Sequence, residues 1–142
     1  MTDTFAACRL FRHVCTTALI LGAALVVGAE PPSVNEAPAQ ANEWGFRPID
    51  GQRSEVNPPA FSWRPQDKAR SYILEVSATP DFSSCQYRAE ELSYNVHCPP
   101  QSFPCGTWYW RFAYRTVDGR QSAWSSMRSF SVDDDSAILP LP

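Results

Sequence analysis

The segment Thr107–Thr116 (TWYWRFAYRT) constrains this chain more than any other. Trp108, Trp110, Phe112 and Tyr114 alternate with Tyr109, Arg111, Ala113 and Arg115. That is the period of a strand, with one aromatic face and one mixed face. Such an aromatic face must be buried against another layer. The neighbouring segments repeat the pattern. Tyr72, Leu74 and Val76 share one face of Tyr72–Ser77, and Ala60–Trp63 alternates until Pro65 stops it. Gln86–Leu92 and Tyr94–Cys98 read as short strands, and Met127–Val132 as a closing strand with Phe130 and Val132 inward. Thr79–Phe82 is a turn, and Asp118-Gly119 is a hairpin signal. No window between residues 44 and 132 keeps a 3.6-residue period. The expectation is an all-β, two-sheet sandwich of about seven short strands. Without a crossover helix, its sheets are expected to be antiparallel.

The ends break this pattern. Arg9, Arg12 and His13 precede the apolar run ALILGAALVV, and Val27-Gly28-Ala29 offers small residues before Glu30. The run is shorter than the roughly 20 residues of a membrane span, so residues 1–29 read as a secretory signal peptide cleaved after Ala29. The mature chain is then secreted or periplasmic, with no membrane attachment. Residues 30–43 carry no aromatic residue and only Val34 as a large apolar one, so they read as a flexible linker. Residues 133–142 read as an acidic linker and an apolar tail without a partner segment. The folded unit is expected over 44–132. A chain of 142 residues has room for one domain, which excludes an enzyme with separate cofactor and substrate domains. Its net charge of −3 argues against nucleic acid as a partner.

The order of these pieces resembles a fibronectin type III-like module. Ser62-Trp63 comes early, Tyr72-x-Leu74-x-Val76 follows, and Phe103–Tyr109 resembles a corner closed by an aromatic side chain, either Tyr109 or Trp108. Gly119–Ser125 is similar to the turn into the last strand of such modules. A narrower resemblance is to the heparinase II N-terminal family. It rests on Phe46–Gly51, Asn57–Trp63, Tyr94–His97, Gly106–Arg111, Trp124-Ser125-x-x-Arg128-Ser129-Phe130 and Pro140–Pro142. In that family a sandwich-like segment opens a larger secreted lyase, whose α/α toroid and β-sheet domain carry the residues for β-elimination on uronic-acid polysaccharides. No catalytic residue of the family has a counterpart here. The resemblance implies a non-catalytic accessory or scaffold module of a truncated or split lyase. Its partner would be a lyase catalytic domain or an anionic polysaccharide. The alternative is a free-standing secreted carbohydrate-binding or adhesion module.

Candidate chemistry is sparse, and no cofactor motif is present. His97, beside Tyr94, is the one histidine after the leader; it is either a base or a strand residue that caps a turn or simply faces solvent. Cys85, Cys98 and Cys105 remain in an oxidising compartment. A Cys98–Cys105 disulfide would staple the connection between them, with Cys85–Cys98 as the second choice. A zinc site is disfavoured because adjacent His97 and Cys98 point to opposite faces of a strand. Asp133–Asp135 lacks the alternating ligands of a calcium loop. Arg111 and Arg115, with Tyr109 and Trp124, would grip an anionic glycan, helped by Arg47, Arg88 and Arg128. The competing reading makes them a structural ladder of guanidiniums on aromatic rings, with a half-exposed Trp124 lying along Arg111 and Arg115. In the core, Trp63 and Trp110 are expected to form the central contact between sheets.

Overall fold

The computed structural model describes residues 29–138, so the expected leader, apart from Ala29, and residues 139–142 lie outside the described residues. The described residues contain strands and turns but no helix. The strands are β1 (Gln52–Arg53), β2 (Val56–Asn57), β3 (Phe61–Ser62), β4 (Ser71–Ser77), β5 (Cys85–Leu92), β6 (Val96–His97), β7 (Gly106–Arg115), β8 (Arg128–Val132) and β9 (Ala137–Ile138). The principal sheet has the order β1-β8-β7-β4-β5, and two small pairs, β2-β9 and β3-β6, complete the sandwich-like body.

The long strands lie where the period-two pattern puts them. β4 and β7 pair antiparallel with Tyr72 opposite Tyr114, Leu74 opposite Phe112 and Val76 opposite Trp110. Trp108 stands opposite Phe130 across β7 and β8. All of these side chains are buried. The small layer contributes Phe61 and Trp63, both fully buried, from opposite the principal sheet.

The central aromatic contact differs from the expected one. Trp63 stacks on Phe112, with centroids 5.2 Å apart and planes 14° apart, and meets Tyr72 edge-on at 5.5 Å. Trp110 meets Phe61 edge-on at 5.4 Å, and its indole Nε1 donates to the Pro48 carbonyl. Residues two apart on a strand are separated by about 6.6 Å on the same face. The facing layers therefore pair residue 61 with 110 and 63 with 112, and the two tryptophans are offset by one step.

The sheets are not purely antiparallel. β1 runs parallel to β8, and β2 runs parallel to β9. No helix makes these crossovers; almost the whole body lies between the paired segments. The apolar tail thus has a partner after all, since Ala137 and Ile138 pair with Val56 and Asn57. The acidic turn before it is fixed as well. Arg53 pairs with Asp133 at 2.5 Å and Asp135 at 3.2 Å, and the Ser136 hydroxyl donates to the Ser54 carbonyl.

The segment 30–43, expected as a linker, is tied along the body. The Pro32 carbonyl accepts from the Ala123 N–H at 2.8 Å, and the Ser33 carbonyl accepts from the Tyr114 hydroxyl at 3.1 Å. Asn35 exchanges two hydrogen bonds with Gln66, and Val34 packs on the core. Glu36 pairs with Arg128 at 3.1 Å and accepts from the Ser126 N–H and hydroxyl. Burial pushes the Glu36 carboxyl upward, but these bonds outweigh it and hold it below its ordinary value. The segment's low apolar content hid this attachment, which is made mostly through backbone carbonyls and polar side chains.

Beyond the Asp118-Gly119 turn, residues 121–125 follow β7 with hydroxyls standing in for carbonyls. The Ser122 N–H donates to the Tyr114 carbonyl and the Tyr114 N–H returns a bond to the Ser122 hydroxyl, at 2.8 and 3.0 Å. Ser125 repeats the exchange with Phe112 at the same distances. Residues 123 and 124 arch between these two anchors, and Trp124 is thereby set over the outer face of β7.

Candidate functional site

The outer face of β4, β5 and β7 holds most of the residues expected to bind a glycan. Its outward rungs pair Ser77 with Tyr109, Glu75 with Arg111, and Ser71 with Arg115. Glu75 is 5% exposed and accepts from two guanidiniums: Arg111 Nη2 lies 2.7 Å away, and Arg88 closes on its other oxygen. Arg88 also holds Glu90 at 2.7 Å, and Arg115 pairs with Glu90 at 2.9 Å and Glu91 at 3.3 Å. The Glu90 carboxyl is held below its usual range, first by the Arg88 hydrogen bond and then by that of Arg115. The Arg111 guanidinium centre lies 3.9 Å from the Phe82 centroid and 4.2 Å from that of Trp124. Arg88 also approaches Trp124, at 5.8 Å.

This arrangement is a lattice of three arginines and three glutamates clamped by aromatic rings. Trp124 takes Arg111 and Arg88 as its cationic neighbours, rather than Arg111 and Arg115. Tyr109 shares the face and is half-buried. A bound anion would have to displace a carboxylate already seated on each guanidinium. Arg128 is occupied likewise, 4.0 Å from the Phe46 ring centroid and paired with Glu36.

His97 and Tyr87 form a closed pair. The rings stack with centroids 5.8 Å apart and planes 14° apart, and the Tyr87 hydroxyl meets His97 Nε2 at 2.5 Å. Burial holds the His97 imidazole below its ordinary value and pushes the Tyr87 phenol up. A neutral imidazole whose Nε2 accepts a hydrogen bond from the protonated phenol is the state that fits both shifts. Tyr94, the partner expected from sequence, points to solvent and is 74% exposed. Nearby Phe103 packs against Tyr87, so the pair leans on the core.

Cys85, Cys98 and Cys105 are free thiols, and the expected Cys98–Cys105 disulfide is not formed. Phe103 between them is drawn into the core, and Asn57 pins its backbone with two hydrogen bonds. Cys105 then faces Asp134, whose carboxylate accepts from the thiol at 3.2 Å, while Cys98 lies over the Pro99 carbonyl. That Asp134 hydrogen bond is the main cause raising the Cys105 thiol, with a smaller part from burial. The corner left open between Tyr109 and Trp108 is closed by Trp108, whose indole N–H donates to the Pro104 carbonyl at 2.9 Å. Among the described residues, no group of three or more His, Cys, Asp or Glu side chains is placed to hold a metal ion.

A site that sequence reading missed lies on the opposite layer. Ser62 pairs with both Arg47 and Val96, so these three residues form a row across the small sheet. Phe61 and Trp63 point inward, so alternation turns the row to the other side, where Arg47 and Val96 are exposed and Ser62 is covered by the Gly45 carbonyl that its hydroxyl holds. The row borders a cleft of about 550 Å³, lined also by Trp44, Gln52, Glu55 and Pro59. Trp44 is 68% exposed, and Tyr94 extends the exposed strip two residues from Val96. The available signal was Trp44 before Gly45, and Tyr94 and Val96 alternating with residues that turn inward.

No family model matches the chain, and no curated protein matches it. Among solved structures, the chain is similar to an alpha-L-rhamnosidase from Dictyoglumus thermophilum, at 16% identity and a TM-score of 0.48. The likeness covers 61% of this chain and 11% of that one, so this chain spans a small part of that enzyme's length. At that level it bears on neither the activity nor the family of this chain.

Proposed function

We propose that this chain is a non-catalytic accessory module of a secreted polysaccharide-active protein. Its body is a fibronectin type III-like sandwich of the kind that opens heparinase II-type lyases, and its partner is a lyase catalytic domain. The observation that carries this reading is the closure of the candidate catalytic group. His97 gives its Nε2 to the Tyr87 hydroxyl at 2.5 Å, inside a ring stack. A base in β-elimination must instead face the substrate proton across a hydrogen bond. The guanidiniums of Arg88, Arg111 and Arg115 are similarly engaged by carboxylates of the same chain. These features suit a rigid body that supports chemistry done elsewhere.

The test is incubation of the purified chain with heparin, heparan sulfate, chondroitin and alginate. The expected outcome is no rise in the absorbance of unsaturated uronate products. A rise abolished by His97→Gln overturns the reading. A second reading, a carbohydrate-binding module that works alone, is favoured by the exposed indole of Trp44 beside the cleft.

A further inference from the structure

We infer that the cleft around Trp44 and Arg47 binds an uncharged saccharide chain, the indole stacking on a sugar ring and the flanking polar groups holding its hydroxyls. This inference rests on the non-catalytic reading and gives it a ligand class.

Trp44 is presented on a fixed base. It follows a turn in which the Glu43 N–H donates to the Gln40 carbonyl and the Glu43 carboxylate accepts from the Gln40 N–H, both at 3.0 Å. Arg64 anchors that carboxylate at 3.2 Å. On the other side, Ser62 exchanges both backbone bonds with Arg47 at 2.9 Å, and its hydroxyl holds the Gly45 carbonyl at 2.7 Å. The indole is thus exposed on a clamped loop, so little ordering entropy opposes a ligand. A second depression of about 410 Å³ shares Trp44 and Arg47 with the cleft. The indole and guanidinium therefore stand on a ridge between two adjoining hollows, which suits consecutive units of a polymer.

The polar groups choose the ligand class. Arg47 is exposed, donates to the Phe46 carbonyl, and forms no ion pair among the described residues. Glu55 is exposed in the same cleft and is likewise unpaired there. Vicinal sugar hydroxyls donate and accept, so they can satisfy a guanidinium and a carboxylate together. The apolar C–H face of a pyranose covers the indole. A purely apolar peptide would cover the indole but leave both charges desolvated without partners. A polyanion would meet Glu55, and beyond it Arg53 already neutralised by Asp133 and Asp135. The opposed charges of Arg47 and Glu55 leave no net positive field to draw it in.

The experiment is affinity gel electrophoresis of the full chain in gels containing galactomannan, hydroxyethylcellulose or arabinoxylan, with alginate and heparin gels beside them. At least one neutral polysaccharide is expected to retard the chain, and alginate and heparin are not. Trp44→Ala should weaken that retardation at least about tenfold, and Arg47→Ala by a similar factor, while Val117→Ala, exposed and outside the cleft, leaves it unchanged. Trp44 is exposed, so its variant should melt at the parent temperature, which separates lost binding from lost folding. Retardation by none of the neutral gels, retardation indifferent to Trp44→Ala, or retardation by the anionic gels alone overturns the assignment. Product analysis of the same mixtures keeps the two readings apart. Cleavage would defeat the non-catalytic reading, whereas no cleavage and no neutral-gel retardation would defeat only the cleft assignment.

Discussion

Arg111 donates from Nε to the nearly buried Glu75 at 2.8 Å while its guanidinium lies against the rings of both Phe82 and Trp124. The contact joins sheet, turn and arch. Phe82 reaches it from a turn where its own φ is 59°, a left-handed conformation that a bulky residue adopts only under constraint from its surroundings. Trp124 reaches it from the arch between Ser122 and Ser125.

Removing the guanidinium should therefore cost more than an exposed ion pair would. Arg111→Ala leaves Glu75 with Arg88 as its remaining partner and uncovers two rings, at an expected cost of about 2 kcal/mol. Glu75→Gln should be costly too, and the double variant should lose less than the two single losses combined. Urea melts at unchanged m-value would measure this. Strict additivity would mean that the lattice contributes nothing as a unit.

The strand body was legible because its inward faces are aromatic and its period is two. Trp108, Trp110, Phe112 and Tyr114 could not all be buried in any other phase. The lattice was legible only as one of two readings, because sequence shows the arginines on a face but not that Glu75, Glu90 and Glu91 reach them from neighbouring strands. The parallel pairings of β1 and β2 were hidden by their length; a two-residue strand has no period to read. The strap through Pro32–Glu36 was hidden because backbone carbonyls, which every residue has, make much of its attachment. Trp44 was passed over because a single exposed indole before a glycine has no pattern until the row Arg47–Ser62–Val96 gives it a cleft.

The core should respond in pairs. Trp63→Ala and Trp110→Ala should each cost about 3–5 kcal/mol through lost transfer energy and cavity formation. Trp124→Ala, with its ring partly exposed, should cost clearly less. Double-mutant cycles separate the observed packing from a direct contact between tryptophans. Trp63 should couple to Phe112, and Phe61 to Trp110, by more than Trp63 couples to Trp110. A larger coupling between the two tryptophans would contradict the offset described above.

Stability should also fall on mild acidification because of His97. Burial holds the folded imidazole below its ordinary value, so the unfolded chain takes up a proton first as pH falls. The contribution is nil above the ordinary unfolded value, grows as pH falls toward the lowered folded value, and stays at its full destabilising size below it. His97→Gln keeps an acceptor for Tyr87 and removes the titration. Its urea midpoint should be flat across the window just below pH 6.5, where the parent declines. The carboxylates of Glu36, Glu90 and Asp133 have lowered values, so their losses begin at still lower pH and should be common to both proteins. Parallel declines in parent and variant would assign the acid sensitivity elsewhere.

The thiols give a chemical readout of the acidic turn. Thiol labelling of the folded chain, read by peptide mapping, should find Cys85, Cys98 and Cys105 all free. Cys105 is exposed, yet its thiol is raised, first by the hydrogen bond to Asp134 and further by the charge of Asp134 and Asp133. Alkylation proceeds through the thiolate, so at neutral pH Cys105 should react more slowly than an exposed thiol with no such neighbour. Asp134→Asn removes the charge and weakens the acceptor. The thiol should then ionise more readily, and its alkylation by iodoacetamide, followed by peptide mass spectrometry, should accelerate. Cys85, raised chiefly by burial and next by the charge of Glu75, is far from this turn in the sheet order and serves as the internal reference. An unchanged ratio of Cys105 to Cys85 labelling in Asp134→Asn would show that Asp134 does not govern the thiol. Recovery of a Cys98–Cys105 disulfide from the non-reduced digest would show that the Phe103 connection can bring the two sulfurs together.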